Sequence, residues 1–108
     1  MFDVLAATEA ILRIEFAARV AARRKDTLSR RYRQIHRERA ARVRLEEDIL
    51  AALKEEGVPA SAVSGFRSAL KLRHWLAHGK YWHPKLGRAY TFEHVFYISR
   101  TLVESIPA

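Results

Sequence analysis

A chain of 108 residues, 49% hydrophobic and 30% charged, carries enough apolar surface for one packed domain over residues 1–108 and too little length for a second. It has no cysteine, which excludes disulfide frameworks and thiolate metal sites and makes a reducing cytoplasm the expected compartment. Twenty Lys and Arg against twelve Asp and Glu leave a formal charge of +8, so the expected partner is a polyanion, with nucleic acid first among them.

The start, Met1-Phe2-Asp3, lacks a basic leader, and every apolar stretch is interrupted by charge before it could span a bilayer. The expectation is a soluble, unprocessed protein. From Asp3 to about Lys25, Val4, Leu5, Ile11, Leu12, Phe16 and Val20 recur at helical spacing, with Asp3 placed to cap the start. Asp26-Thr27 then supplies a break and a new cap. Beyond it, Leu28, Tyr32, Ile35, Val43, Ile49, Leu50 and Leu53 predict one long second helix ending near Gly57, where Gly57-Val58-Pro59 is a strong stop.

A third helix is predicted from about Ser61 to Gly79 with Val63, Phe66, Leu70, Leu72, Leu76 and Ala77. Residues 80–90 contain Pro84 and Gly87 and no clean period, and read as an aromatic loop. Thr91 caps a last helix with Phe92, Val95, Phe96, Leu102, Val103 and Ile106 on its inner face. No strand pattern or repeat is present. The expected fold is all-α, an antiparallel four-helix bundle, small enough that a homodimer would complete its core.

The positive charge is uneven. Residues 19–44 hold more than half of it, opposed only by Asp26 and Glu38, so Arg30, Arg31 and Arg37 of the second helix are candidate phosphate contacts. For any single one of these residues, a solvated helix face with Arg chosen for helix propensity is an equal reading. A lipid surface ranks behind RNA, because the apolar side of that helix is needed for the core.

The third helix holds the chemistry. Extending its stripe Val63, Phe66, Leu70 by three or four residues reaches Arg73 and His74, where a purely structural helix would place Leu or Ile. A guanidinium facing the core requires a carboxylate, a wet cleft or a bound anion. His78 follows at the helix end, where the helix dipole favours imidazolium. An Arg that stays charged beside a His that titrates near neutrality suits phosphodiester transesterification. His78 would move a proton at the 2′-hydroxyl or leaving oxygen, and Arg73 would stabilise the charged phosphorane.

Arg73, then polar His74, then three residues and His78 near the end of a core helix resembles the signature of the HEPN family. The resemblance implies a helical bundle that dimerises so that two motifs face one cleft. It often forms a metal-independent endoribonuclease in toxin–antitoxin, phage-defence or RNA-processing systems, and an antitoxin protein would be a further partner. The motif covers six residues, while the helical pattern is compatible over essentially the whole chain. A subset of the family carries a modified Tyr two residues after the His. Here that position is Lys80, with Tyr81 one later, so regulation through that tyrosine is not expected.

Lys80 and Tyr81 join the candidate RNA contacts, and Trp75, Trp82 and Tyr90 either stack on bases or close the core, the latter preferred for Trp75. The structural alternative for Arg73 is an ion pair with Glu9 or Glu15. His74, His78 and His83 have partial metal-ligand spacing but no acidic neighbour in sequence, so no metal and no cofactor are expected. Glu15 and Arg19 match an accessory acidic-basic spacing of some HEPN groups but read as an ordinary surface i, i+4 pair. A non-catalytic nucleic-acid-binding or protein-binding module of the same fold is the alternative function.

Overall fold

The computed structural model describes residues 2–77 and 92–107. Its regular structure is helical throughout: α1 (Phe2–Ala22), α2 (Thr27–Arg39), a 3-10 turn (Ala40–Arg42), a π-helical turn (Leu45–Leu50) running into α3 (Ala51–Glu55), α4 (Ala60–Ala77) and α5 (Phe92–Glu104). Among the described residues there are thus five α-helices where four were expected. The aromatic loop of residues 80–90 and the Thr91 cap lie outside them, as does the side chain of Trp75.

α1 buries Leu5, Thr8, Leu12, Phe16 and Arg19, a stripe with steps of three and four, and packs against α2, α4, α5 and the π-helical turn. Ile11 lies about 100° off that stripe. It is exposed, contrary to its expected core position. Asp26 begins α2 as anticipated, its carboxylate accepting from the Ser29 backbone N–H at 3.1 Å.

The single long helix predicted from Leu28 to Gly57 is instead broken after Arg39. Ile35 and Leu45 are ten residues apart, so the stripes Leu28-Tyr32-Ile35 and Leu45-Ile49-Ala52 are out of phase by roughly 80° on a continuous helix, and both cannot face one core. The chain resolves this with Ala40 at φ +51°, a left-handed conformation costly for a residue with a Cβ. Three contacts hold the turn. Arg39 pairs with Asp48 at 3.0 Å, Asp48 accepts from the Arg44 backbone N–H at 2.8 Å, and Arg13 of α1 donates to the Val43 carbonyl at 3.1 Å.

The predicted stop is present. Gly57 sits at φ +102° and Val58 N–H reaches back to the Leu53 carbonyl at 3.0 Å, the bond of a left-handed helix cap. α4 then buries Ala62, Val63, Phe66, Ala69 and Leu70, and α5 closes the core with Val95 and Leu102. Phe96, expected inside, is exposed, because the inward stripe of α5 runs through Val95, Ser99 and Leu102.

Phe16 and Tyr32 meet at the core with ring centroids 4.7 Å apart and tilted by 51°. The Tyr32 hydroxyl is buried and makes no hydrogen bond among the described residues. Burial pushes its pKa up, the Glu15 carboxylate adds to the rise, and Arg19 opposes it. Removing an unsatisfied buried hydroxyl relieves its desolvation cost, so Tyr32→Phe is expected to raise unfolding free energy by about 1 kcal/mol in urea titration. A loss of similar size would mean that the hydroxyl is bonded after all.

Candidate functional site

The last turns of α4 carry the two described members of the Arg73–His74–His78 set. The apolar stripe ends at Leu70, and the next positions turn polar: Arg73 is 34% exposed and His74 more so. Arg73 is oriented from across the core by α1, with its Nη2 3.5 Å from Glu9 Oε1. Glu9 also accepts from Arg13 Nε at 3.2 Å, so one carboxylate sits between two guanidiniums. The ion pair that was the structural alternative for Arg73 is therefore present, with Glu9 as its partner.

Glu9, Arg73 and His74 line a cavity of about 260 Å³, together with Leu45, Glu46, Glu47, Leu70 and Lys71. The break after Arg39 is what brings Glu46 and Glu47 there. Its lining is rich in carboxylates, so a phosphate entering it meets Arg73 and Lys71 against Glu9, Glu46 and Glu47. His78, Lys80, Tyr81 and His83 lie outside the described residues. Among the described residues, no three of His, Asp and Glu converge to hold a metal ion.

A second, larger concavity of about 660 Å³ opens between the C-terminal end of α1 and the outer face of α2. It is lined by Val20, Arg23, Lys25, Arg30, Arg33, His36 and Arg37 and contains no carboxylate. Arg30, Arg33 and Arg37 follow i, i+3, i+7 spacing, which stacks them on one side of α2. Arg33 is braced by donating to the Arg24 carbonyl at 2.6 Å. Arg30 and Arg37 are where the sequence reading put phosphate contacts. Arg31, also an expected phosphate contact, does not line the groove: it points to α3 and pairs with Glu55 at 3.4 Å. Arg23, Lys25, Arg33 and His36 share the groove without having been singled out, although the spacing of Arg33 with Arg30 and Arg37 was a usable signal.

Compared with known family models, curated proteins and solved structures, the chain matches none. The resemblance to HEPN domains accordingly rests on the Arg73–His74–His78 spacing and the helical architecture alone.

Arg19 departs most from expectation. It is 4% exposed, not a surface residue, and its guanidinium joins three parts of the chain. It pairs with Glu15 one turn earlier, donates to Asp26 at 2.8 Å and Ser29 Oγ at 3.3 Å, and donates to the Pro107 carbonyl. Burial works to raise the pKa of Asp26. Hydrogen bonds from the Ser29 backbone and hydroxyl, with the charges of Arg24 and Arg19, outweigh it and hold the carboxyl below its ordinary value. These residues are a structural clamp, and the buried charge of Arg19 is consumed internally.

Proposed function

We propose that the protein is a metal-independent endoribonuclease of the HEPN type, built as a four-helix bundle whose broken second helix supplies the extra short α3. The observation that carries the reading is Arg73: a partly exposed guanidinium, at the point where the α4 stripe turns polar, oriented by a carboxylate on another helix and opening with His74 onto a cavity. A permanently charged group held in this way is what stabilisation of a developing phosphorane requires.

In this reading His78 takes the proton of the 2′-hydroxyl, whose oxygen attacks the adjacent phosphorus. The 5′-oxygen leaves with a proton, and a 2′,3′-cyclic phosphate results. His74, protonated, gives that proton to the leaving 5′-oxygen, and no cofactor takes part. Lys80 and Tyr81 contact RNA beside the site. The setting is a cytoplasmic toxin or phage-defence component restrained by an antitoxin protein.

The unit of function is a homodimer. Ile11, Ile14, Phe96 and Tyr97 are large apolar side chains left exposed on α1 and α5, and Val4, Ala7, Ile11, Phe96 and Val103 line an apolar groove of about 360 Å³ between those helices. A second copy covering this face is supported by its composition. Ile11→Glu with Phe96→Glu is expected to convert a dimer into a folded monomer in sedimentation analysis. A wild type that is already monomeric would remove the paired-site part of the reading.

A non-catalytic nucleic-acid-binding module is the second reading, and the carboxylates Glu9, Glu46 and Glu47 around Arg73 favour it. The deciding experiment is cleavage of a labelled RNA pool in EDTA by wild type, Arg73→Ala and His78→Ala. Cutting by wild type that both variants lose supports the enzyme. Binding without cutting by wild type supports the module. No helix among the described residues is long and apolar enough to cross a membrane.

A further inference from the structure

We propose that the groove between α1 and α2 is a dedicated site for the phosphodiester backbone of single-stranded RNA, separate from the Arg73 cavity and supplying most of the protein's affinity. The inference rests on the proposed RNA-acting role for the identity of the polyanion, and on the groove itself for the site.

Four observations carry it. First, the two concavities have opposite electrostatic character: the groove gathers Arg23, Lys25, Arg30, Arg33 and Arg37 with no carboxylate, whereas the Arg73 cavity carries three. Among charges sharing a concave surface the local field sums, so an anion is drawn more strongly to the groove than to the cavity. Second, among the described residues Arg23, Lys25, Arg30 and Arg37 make no ion pair, while other arginines of the same region are committed: Arg19 and Arg24 to Asp26, Arg31 to Glu55 and Arg39 to Asp48. The groove cations are left available while their neighbours serve the fold.

Third, Arg30, Arg33 and Arg37 repeat at about one helical turn, roughly 5 Å per step. A row of cations at that interval follows successive phosphates of an extended strand, and guanidinium planes with the His36 imidazole beside them offer surfaces for unstacked bases. Fourth, the apolar side chains of α2, Leu28, Tyr32 and Ile35, are buried in the core. The helix therefore has nothing to insert into a bilayer, which disfavours a lipid surface as occupant.

The groove also lies in line with the other site. Val20, on its wall, and Glu9, which holds Arg73, are eleven residues apart on α1, about 16 Å along the axis and within roughly 20° around it.

The test uses a fluorescent oligouridylate with 2′-O-methyl riboses, which binds but cannot undergo transesterification, so that failure of the nuclease reading leaves this measurement intact. Anisotropy titrations over a range of salt compare wild type with Arg30→Gln/Arg37→Gln, with Arg42→Gln/Arg44→Gln as a control of equal charge change outside the groove, and with Arg73→Ala. Circular dichroism checks that each is folded. The groove variant is expected to bind at least about 10-fold more weakly and to lower the log–log salt slope by about 1.4, two phosphate contacts at 0.7 each for a single strand. The control is expected to stay within about 2-fold of wild type, and Arg73→Ala to lose clearly less than the groove variant. Equal losses in the groove variant and its charge control would overturn the site in favour of diffuse attraction. Tighter, groove-dependent binding to phosphatidylserine vesicles than to the oligouridylate would overturn RNA as its occupant.

Discussion

Arg19→Met is expected to lower the unfolding free energy by about 2–4 kcal/mol, the largest stability loss from any single charged side chain among the described residues. Methionine keeps the buried stem but removes the guanidinium from between Glu15, Asp26, Ser29 and the Pro107 carbonyl. Removing one partner of a fully buried pair typically costs about 3–5 kcal/mol. Here the carboxylates of Glu15 and Asp26 are 25% and 32% exposed and regain some water, which sets the lower end of the range. Urea unfolding at neutral pH measures the effect as a reduced midpoint with little change in slope.

The pH dependence of that loss separates charge from packing. Asp26 has a folded pKa below its unfolded value, so its contribution is present above the unfolded value of about 3.9 and disappears as pH falls through the folded one. The stability gap between wild type and Arg19→Met is expected to be constant above about pH 5 and to narrow only in part below about pH 4, because Ser29 and Arg24 also hold the Asp26 carboxyl down and the bonds of Arg19 to Ser29 and Pro107 do not titrate. A gap that persists undiminished in acid would assign the effect to packing and to the hydrogen bonds with Ser29 and Pro107 instead of the ion pairs.

Arg73→Ala is expected to reduce the rate of RNA cleavage in EDTA by about 100- to 1,000-fold, the loss associated with one preorganised stabiliser of transition-state charge. The fold is not at stake in this substitution. The Arg73–Glu9 pair spans 3.5 Å between groups exposed by 34% and 29%, and such pairs contribute at most about 1 kcal/mol. Arg73→Lys retains the charge without the planar fork and is expected to recover only part of the rate. Glu9→Gln releases the guanidinium from its carboxylate and is expected to lower kcat more than binding. Wild-type cleavage by Arg73→Ala would end the proposed role of this residue.

The legibility of the chain followed the range of the interactions involved. The Asp26 cap, the Gly57 stop and the α4 stripe were readable because each depends on residues within a few positions of one another. The break after Arg39 was not, since Ala40-Ala41-Arg42-Val43 contains neither Gly nor Pro and is locally good helix. It is imposed by a phase conflict between two apolar stripes and held by Arg13, across thirty positions of chain. For Arg73 the sequence left a carboxylate, a wet cleft and a bound anion open, and the ion pair with Glu9 instead of Glu15 was decided by tertiary packing. Glu15 is instead drawn to Arg19.

By itself the sequence determined an all-helical chain, a strongly basic segment over residues 19–44 and an anomalous polar end to the α4 stripe, because periodicity, charge and local capping are properties of neighbours. Only the tertiary structure decided which of those charges remain available. Arg19 and Arg31 look no different in sequence from Arg30 and Arg37, yet the first two meet carboxylates supplied in part by other elements while the latter two open onto a groove that holds none. Whether a cation serves the fold or faces solvent depends on what the rest of the chain brings within a few ångströms of it, and charge pattern along the chain does not carry that information.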